Sequence, residues 1–331
     1  MAAGLTEHRC RNTLRHTVEI VFRKSSVSLG MRRCSGHDPN QAKRVMPMLT
    51  NTQIDAYHEN GFVGIEGVYS PDEILELQRV TDEFVEQSRT VTENNNVFDL
   101  EPGHSAEEPK LRRLKFPVDI HPTYHGALHH EGMLGIVSQL IGDAIRLGSS
   151  KLNVKRPSGG SPVEWHQDWT FYPHTNDDLL AVGICIDDMT VENGALLVIP
   201  GSHKGPIYDH HHPDGYFCGA VTDPNFDGEG AVPIELKAGG ISIHHVRTLH
   251  GSTSNRSTAA RRLFLLELIA ADAWPLRGIE TWDAFNAKIV RGTPVPCPRL
   301  ADVPVRVPYP QAPSQGSIYE NQTAYTDRKL K

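Results

Sequence analysis

The sequence predicts a mainly β fold, an antiparallel sandwich or barrel with helices ahead of it. Three observations lead there. From about residue 145 the chain runs in short apolar stretches: "IRLGSSKLNVKR", "VEWHQDW", "LLAVGICIDDM", "ALLVIPGS", "VPIELK", "GISIHHV" and "RRLFLLELIA". Turn signals such as "RPSGGSP" and "ENG" separate them, the texture of hairpin-linked strands rather than of a doubly wound sheet. The clear helical signals lie upstream of that point.

Taken in order, residues 1–48 form a basic leader. Nine Lys/Arg face three acids within residues 1–46, while the whole chain carries −7. The segment has no uninterrupted apolar stretch of the secretory kind. It reads as a disordered leader or an over-long start, with a mitochondrial presequence as the alternative to a cytoplasmic protein. One main domain is expected over 49–284, helical over about 49–144 and barrel-like over about 145–275. "TNTQIDAYHENGF" has Thr50 and Gln53 at capping-box spacing, and "GFVGIEGVYS" reads as a strand. In "SPDEILELQRVTDEFVEQ", Ser70 suits the N-cap, Pro71 the first helical position and Glu73 the reciprocal cap. Ile74, Leu77 and Phe84 mark its apolar face. Residues 88–112 ("TENNNVFDLEPGHSAEEPK") read as a mobile loop, and "GALHHEGMLGIVSQLIG" as a further helix. The Pro-rich tail 285–331 is expected to wrap the surface and to be partly disordered.

Composition narrows the function. The chain has 331 residues, 38% hydrophobic and 22% charged. No apolar run approaches the roughly 18 residues of a membrane span. The acidic balance and the lack of a basic stripe argue against a nucleic-acid partner. Five cysteines without a CxxC pair read as free thiols in a reducing compartment. A small-molecule substrate is expected; the oligomeric state is not readable.

One stretch carries chemistry. In "PVEWHQDW", His166 and Asp168 are two residues apart, so on a strand they face the same side and Gln167 faces away. An imidazole and a carboxylate suit a divalent first-row metal, but a third ligand is needed. "HHVRTLHGSTSN" offers His244, His245 and His250. His250 is preferred because Gly251 and Ser252 follow it; His245 is the rival. His210, His211 and His212 in "YDHHHPDG" read as a solvated surface cluster. Arg261, eleven residues after His250, opens the strand "RRLFLLELIA" and would fork onto a carboxylate. Apolar alternation gives the more core-like side to Arg262 (Phe264, Leu266, Leu268), whereas spacing favours Arg261, which we take. Trp165, Trp169 and Cys185 read as packing. Tyr172 lies where a covering loop would touch substrate, and His203 where a turn would reach the rim.

"WHQDWTFYP", "ENGALLVIPGSHKG" and "HGSTSNRSTAARR" together resemble the phytanoyl-CoA hydroxylase family of iron(II)/2-oxoglutarate oxygenases over roughly residues 50–275. The resemblance implies a double-stranded β-helix, a jelly-roll barrel with flanking helices. It implies His166, Asp168 and His250 as iron ligands, with Arg261 and Ser252 on the distal carboxylate of 2-oxoglutarate. Gln167, Lys115 and Lys151 fall where further cosubstrate contacts are expected. It implies O2 as oxidant, ascorbate as a reductant, and hydroxylation of an unactivated C–H bond of a small organic or acyl substrate. Asp168 argues against halogenation, for which that carboxylate is replaced by a small residue. Two other readings stay open: a cupin-like metal enzyme that does not use 2-oxoglutarate, and a non-catalytic metal or ligand sensor. No CoA signature is visible, and the acidic net charge gives no general attraction for a phosphorylated substrate. Residues 88–112 and 205–230 are expected to shape the pocket.

Overall fold

The computed structural model describes residues 48–312 and 316–330. The leader, with Cys10 and Cys34, lies outside them apart from Met48. Twelve strands form among the described residues: β1 (Phe62–Ile65), β2 (Phe98–Leu100), β3 (Leu111–Lys115), β4 (Ile145–Lys155), β5 (Val163–His166), β6 (Leu179–Cys185), β7 (Leu196–Val198), β8 (Val232–Ile234), β9 (Ile241–His245), β10 (His250–Ser252), β11 (Arg261–Ala270) and β12 (Ile289–Arg291). They make two antiparallel sheets. The larger runs β1-β9-β6-β11-β4-β3-β2, with β12 paired to β4; the smaller runs β5-β10-β7-β8. The fold is mainly β, as expected, but hydrogen bonds do not close the two sheets into one barrel.

The larger sheet is covered on one face by helices. Both expected capping boxes form, Thr50 with Gln53 before Asn51–Asn60 and Ser70 with Glu73 before Pro71–Gln87. Ile74, Leu77, Phe84, Tyr124, Met133 and Val137 from the helices bury against Ile241, Ile243, Phe264, Leu266 and Leu268 from the strands. Cutting fully buried Leu266 back to Ala would cost about 3 kcal/mol. The opposite face is mixed. Leu263 and Leu265 pack there with Leu196, Val198 and Ile234 of the smaller sheet. Between them lie polar side chains, and that interior is where the site is built.

Three expectations are corrected. Besides the expected β1, the helical part contributes β2 and β3 to the larger sheet. Residues 88–112 are not a free loop, because the asparagines that read as loop formers hold the strand. Asn95 Oδ1 accepts from the Val97 and Phe98 amides at 2.8 Å each, and Asn94 Oδ1 from the Leu100 amide at 2.8 Å. The tail, over its described residues, is packed rather than disordered. Leu330 joins Trp165, Val221 and Leu249 in an apolar cluster. The Lys329 and Leu330 amides donate to the buried Glu164 carboxylate at 3.0 and 3.1 Å. Gln322 accepts from the Glu164 amide and donates to the Gly219 carbonyl. Composition alone misses this because the tail's polar groups find fixed partners on β5 and its neighbours.

Among the described residues Cys185, Cys218 and Cys297 are free thiols, the first two buried. No helix there is long and apolar enough to cross a membrane.

Candidate active site

The smaller sheet sets the geometry. β10 pairs antiparallel with β5 so that His250 lies directly opposite His166. Their ring centroids are 4.0 Å apart. β5 ends at His166, but Gln167 stays extended (φ −120°, ψ 123°), so alternation carries through to Asp168 at the start of a short 3-10 turn. Gly251 is required by close approach: a Cβ there would meet the Val163 carbonyl at 2.9 Å and Leu330 at 2.6 Å.

One ligand atom from each of His166, Asp168 and His250 falls within 4.8 Å of the others. Each imidazole is oriented from behind. His166 donates Nδ1–H to the Glu164 carbonyl at 2.8 Å, and His250 donates Nδ1–H to the Thr248 carbonyl at 2.9 Å. Both Nε2 lone pairs therefore face inward, the tautomer a metal needs. Burial pushes His166 down to about 4. Burial, then His166 and His244, push His250 well below the usual imidazole range. Burial raises Asp168, but His250, His244, Lys151 and His166 outweigh it and hold the carboxyl well below its ordinary value. Two neutral imidazoles and a carboxylate result, a donor set that fits iron(II).

A fourth histidine, offered by the sequence as a candidate but passed over for His250, reaches the same interior. His244 on β9 is only 1% exposed, with Nε2 3.4 Å from Asp168 Oδ2 and its ring 4.2 Å from that of His250. Neither ring nitrogen has a hydrogen-bond partner among the described residues. The rival His245 points the other way, toward Tyr57, His203 and Asp177.

A narrow cavity runs from the triad to Arg261, lined also by Ser252, Asn153, Lys151, Arg113 and His244. Arg261 is buried. Its Nη2 donates to the Gly194 carbonyl at 2.8 Å, while its Nε has no partner. It has no carboxylate within ion-pair distance among the described residues. Arg262 faces outward, paired with Asp187 and Asp82 at 2.7 Å each. Lys155, opposite Arg261 on β4, is also buried and donates to the Thr253 carbonyl. A desolvated guanidinium with an unused donor fits a dicarboxylate such as 2-oxoglutarate.

The remaining expected contacts fare differently. Lys151 lines this cavity and pairs with Glu267 at 3.0 Å. Lys115 does not line it; its Nζ donates to the Asn95 carbonyl at 2.9 Å on the wall of a wider outer cavity. Gln167 is turned away and fully committed. Its oxygen accepts from the Tyr208 amide at 2.9 Å, and its amide nitrogen donates to the Pro206 and Arg247 carbonyls at 3.1 and 2.9 Å. The expected solvated histidine cluster is also corrected. His210 and His211 are buried, because their loop folds back onto the ligand motif. His210 Nε2 accepts from the Gln167 amide at 3.0 Å, and burial pushes that imidazole down to about 3.

The outer cavity, about 860 Å³, opens on Asp168. Phe171, Tyr172 and Phe217 line it; His203 does not. Trp165 and Trp169 are buried in packing. Tail residue Ile318 lines both cavities.

The sequence matches the phytanoyl-CoA dioxygenase (PhyH) family over residues 57–263, more than half of the chain. The chain belongs to the phytanoyl-CoA dioxygenase family. It is accordingly a 2-oxoglutarate- and iron-dependent dioxygenase. One relative, named a probable alpha-ketoglutarate-dependent hypophosphite dioxygenase of Stutzerimonas stutzeri, is 37% identical, covering 82% of this chain and 96% of its own. An L-proline trans-4-hydroxylase of Streptomyces griseoviridis is 30% identical, covering 50% of this chain and 68% of its own. Among solved structures, the non-heme alpha-ketoglutarate-dependent carbocyclase SnoK of nogalamycin biosynthesis superposes with a TM-score of 0.57 at 24% identity, covering 75% of this chain and 93% of that one. EctD from S. alaskensis does so with a TM-score of 0.56 at 21% identity, covering 67% and 77%. These likenesses establish the double-stranded β-helix for this phytanoyl-CoA dioxygenase family member.

Proposed function

We propose that the protein hydroxylates an unactivated C–H bond of a small organic or acyl substrate. The stoichiometry is R–H + 2-oxoglutarate + O2 → R–OH + succinate + CO2. One observation carries the reading: buried Arg261, with no carboxylate partner among the described residues, opens into the same cavity as His166, Asp168 and His250. In this reading the three ligands would hold iron, which when bound supplies the centre where the keto acid and O2 react. Arg261 and Ser252 would hold the distal carboxylate and fix its orientation before O2 arrives. The Glu164 and Thr248 carbonyls keep both imidazoles aimed inward throughout. A cupin with other chemistry has no use for an unpaired arginine there, and a sensor would bind 2-oxoglutarate without releasing succinate.

A second reading keeps this site and changes the bond. The 37% identical relative is named for hypophosphite, and the outer cavity has more basic than acidic wall residues. On this reading a P–H bond of hypophosphite is hydroxylated to phosphite, with the same succinate and CO2.

The test is an anaerobic titration with Fe(II) and 2-oxoglutarate, followed by O2 and candidate substrates. A weak visible band near roughly 500–530 nm is expected for a chelated keto acid on non-haem iron. Iron binding without the band would overturn the cosubstrate assignment. Succinate release dependent on hypophosphite, with phosphite formed, would select the second reading.

A further inference from the structure

The outer cavity is electropositive although the chain is acidic. Arg113, Lys115, Arg146, Lys151, Arg277 and Lys288 line it against Asp168, Glu267 and Glu280. Lys151 and Glu267 cancel as a pair, and Asp168 belongs to the triad.

The charge that stands out is Arg146. It is 2% exposed and has no carboxylate within ion-pair distance among the described residues. Its Nε donates to the Phe285 carbonyl at 3.1 Å and its Nη1 to the Ala271 carbonyl at 3.3 Å, while Nη2 has no partner. Its guanidinium lies 3.5 Å from the centre of the Phe285 ring. Two neutral carbonyls and a ring leave a whole positive charge uncompensated in a poorly solvated wall, which an arriving anion would relieve. Its placement there follows from the strand. The β4–β11 register shifts between Glu267 and Leu268, leaving Gly148 without an opposite residue. Such a bulge reverses the alternation and brings Arg146 onto the wall shared with Ser149 and Lys151. A Cβ at Gly148 would meet Ile269 Cδ1 at 2.7 Å, so that side chain would have to turn aside.

Exposed Lys288 lines the same cavity from the neighbouring strand end, where Ile289 is opposite Arg146 and the Leu147 amide donates to the Lys288 carbonyl at 2.9 Å. Lys151, whose charge reaches Asp168 and His166, is five residues along β4 from Arg146. At about 3.3 Å per residue that separation is at most roughly 16 Å.

We infer that the outer cavity takes an organic substrate bearing an oxyanion, its charged group held by Arg146 and Lys288 at the end remote from the triad. The inference rests on the outer cavity being the substrate chamber of the proposed oxygenase. The spacing requires a carbon chain between the anion and the hydrogen that is replaced.

The test is calorimetric titration of the full chain, loaded anaerobically with Fe(II) and 2-oxoglutarate. The probes are octylphosphonate, octanoate, 1-octanol and inorganic phosphite. Tighter binding of octylphosphonate or octanoate than of octanol is expected, and the stronger of the two names the oxyanion. Arg146→Gln should weaken that anion about 10-fold or more, Lys288→Gln about 3-fold, and octanol not at all. Arg146→Lys should restore part of the loss. Equal binding of octanol and both anions by the wild type overturns the inference. So does an Arg146→Gln protein that weakens octanol as much as the anion, the mark of a structural arginine. Phosphite binding as tightly as octylphosphonate overturns the need for a chain. Lys288→Gln, at an exposed position, carries the test if Arg146→Gln does not fold. Anion binding through Arg146 in a wild type that forms no visible band supports the chamber and overturns the oxygenase reading instead.

Discussion

His166 and His250 face one another across the β5–β10 pair, ring centroids 4.0 Å apart, each ring tied through Nδ1–H to the carbonyl two residues before it. The backbone of two strands thus aims both Nε2 atoms before any metal arrives. His166→Ala should therefore leave the apo fold intact and remove metal binding. The expected outcome is at least about 100-fold weaker iron affinity and no band near roughly 500–530 nm. Retention of the band would remove His166 from the ligand set.

The adjacent arginines should separate cleanly. Arg261→Ala is expected to raise the KM for 2-oxoglutarate by about 10- to 100-fold, the worth of a charge-assisted fork. Arg262→Ala should leave that KM alone and cost about 3 kcal/mol of stability, since it strands the mostly buried Asp187 that the guanidinium grips twice. Steady-state kinetics and urea titration of the two variants check this; equal effects on KM would contradict it.

Gln167 behaves as a clamp on the 206–208 loop, not as a cosubstrate contact. Gln167→Leu strands the Tyr208 amide and the Pro206 and Arg247 carbonyls, and should cost about 3 kcal/mol. The KM for 2-oxoglutarate in the folded fraction should stay within about 2-fold of wild type. A large KM change at unchanged stability would return Gln167 to the cosubstrate.

Acid should weaken the fold through buried histidines. Burial pushes His174 down to about 4 and His210 down to about 3. In the unfolded chain both return to about 6.5. Below that pH the unfolded state binds more protons, so their contribution is complete above about 6.5 and falls as the pH drops toward the folded values. Each accounts for at most about 1.4 kcal/mol per pH unit. Urea midpoints at pH 7.5, 6 and 5 should fall, and His210→Gln should flatten the trend by about one proton. An unchanged slope in that variant would show that His210 titrates normally.

Removing residues 316–331 should destabilise the protein and loosen the site together. Glu164 is buried, and burial raises its pKa against the Lys329 and Leu330 amides that lower it. Without those amides its carboxylate is left unmet two residues from His166. A loss of about 3 kcal/mol in urea titration, with weaker iron binding, is the expected result. Unaltered iron affinity would make the tail ornamental to the site.

How far the sequence could be read depends on which side of each strand meets what. Alternation in "RRLFLLELIA" correctly separates Phe264, Leu266 and Leu268 from Leu263, Leu265 and Glu267, but apolarity does not say which set faces the site. The more apolar side meets the helices, and the side carrying Arg261 and Glu267 faces the interior between the sheets. The same inversion decides between His244 and His245. In "ISIHH", Ile241 and Ile243 pack beneath the helices, so His244 falls on the interior face and His245 on the other. Parity against Ile243 was the available signal. Net charge does not say where charges gather: Arg146 and Lys288 are far apart in sequence, and the pairing of β12 with β4 brings both residues to one cavity. The His166–Asp168 pair was legible because two-residue alternation survives the end of the strand.

The tie between Glu164 and Leu330 spans 166 positions. All three candidate ligands have been synthesised long before the segment that completes the strand beneath them emerges from the ribosome. An imidazole cluster made early is therefore completed only once residues 329 and 330 have reached Glu164. Loading it correctly is then a matter of timing as much as of affinity.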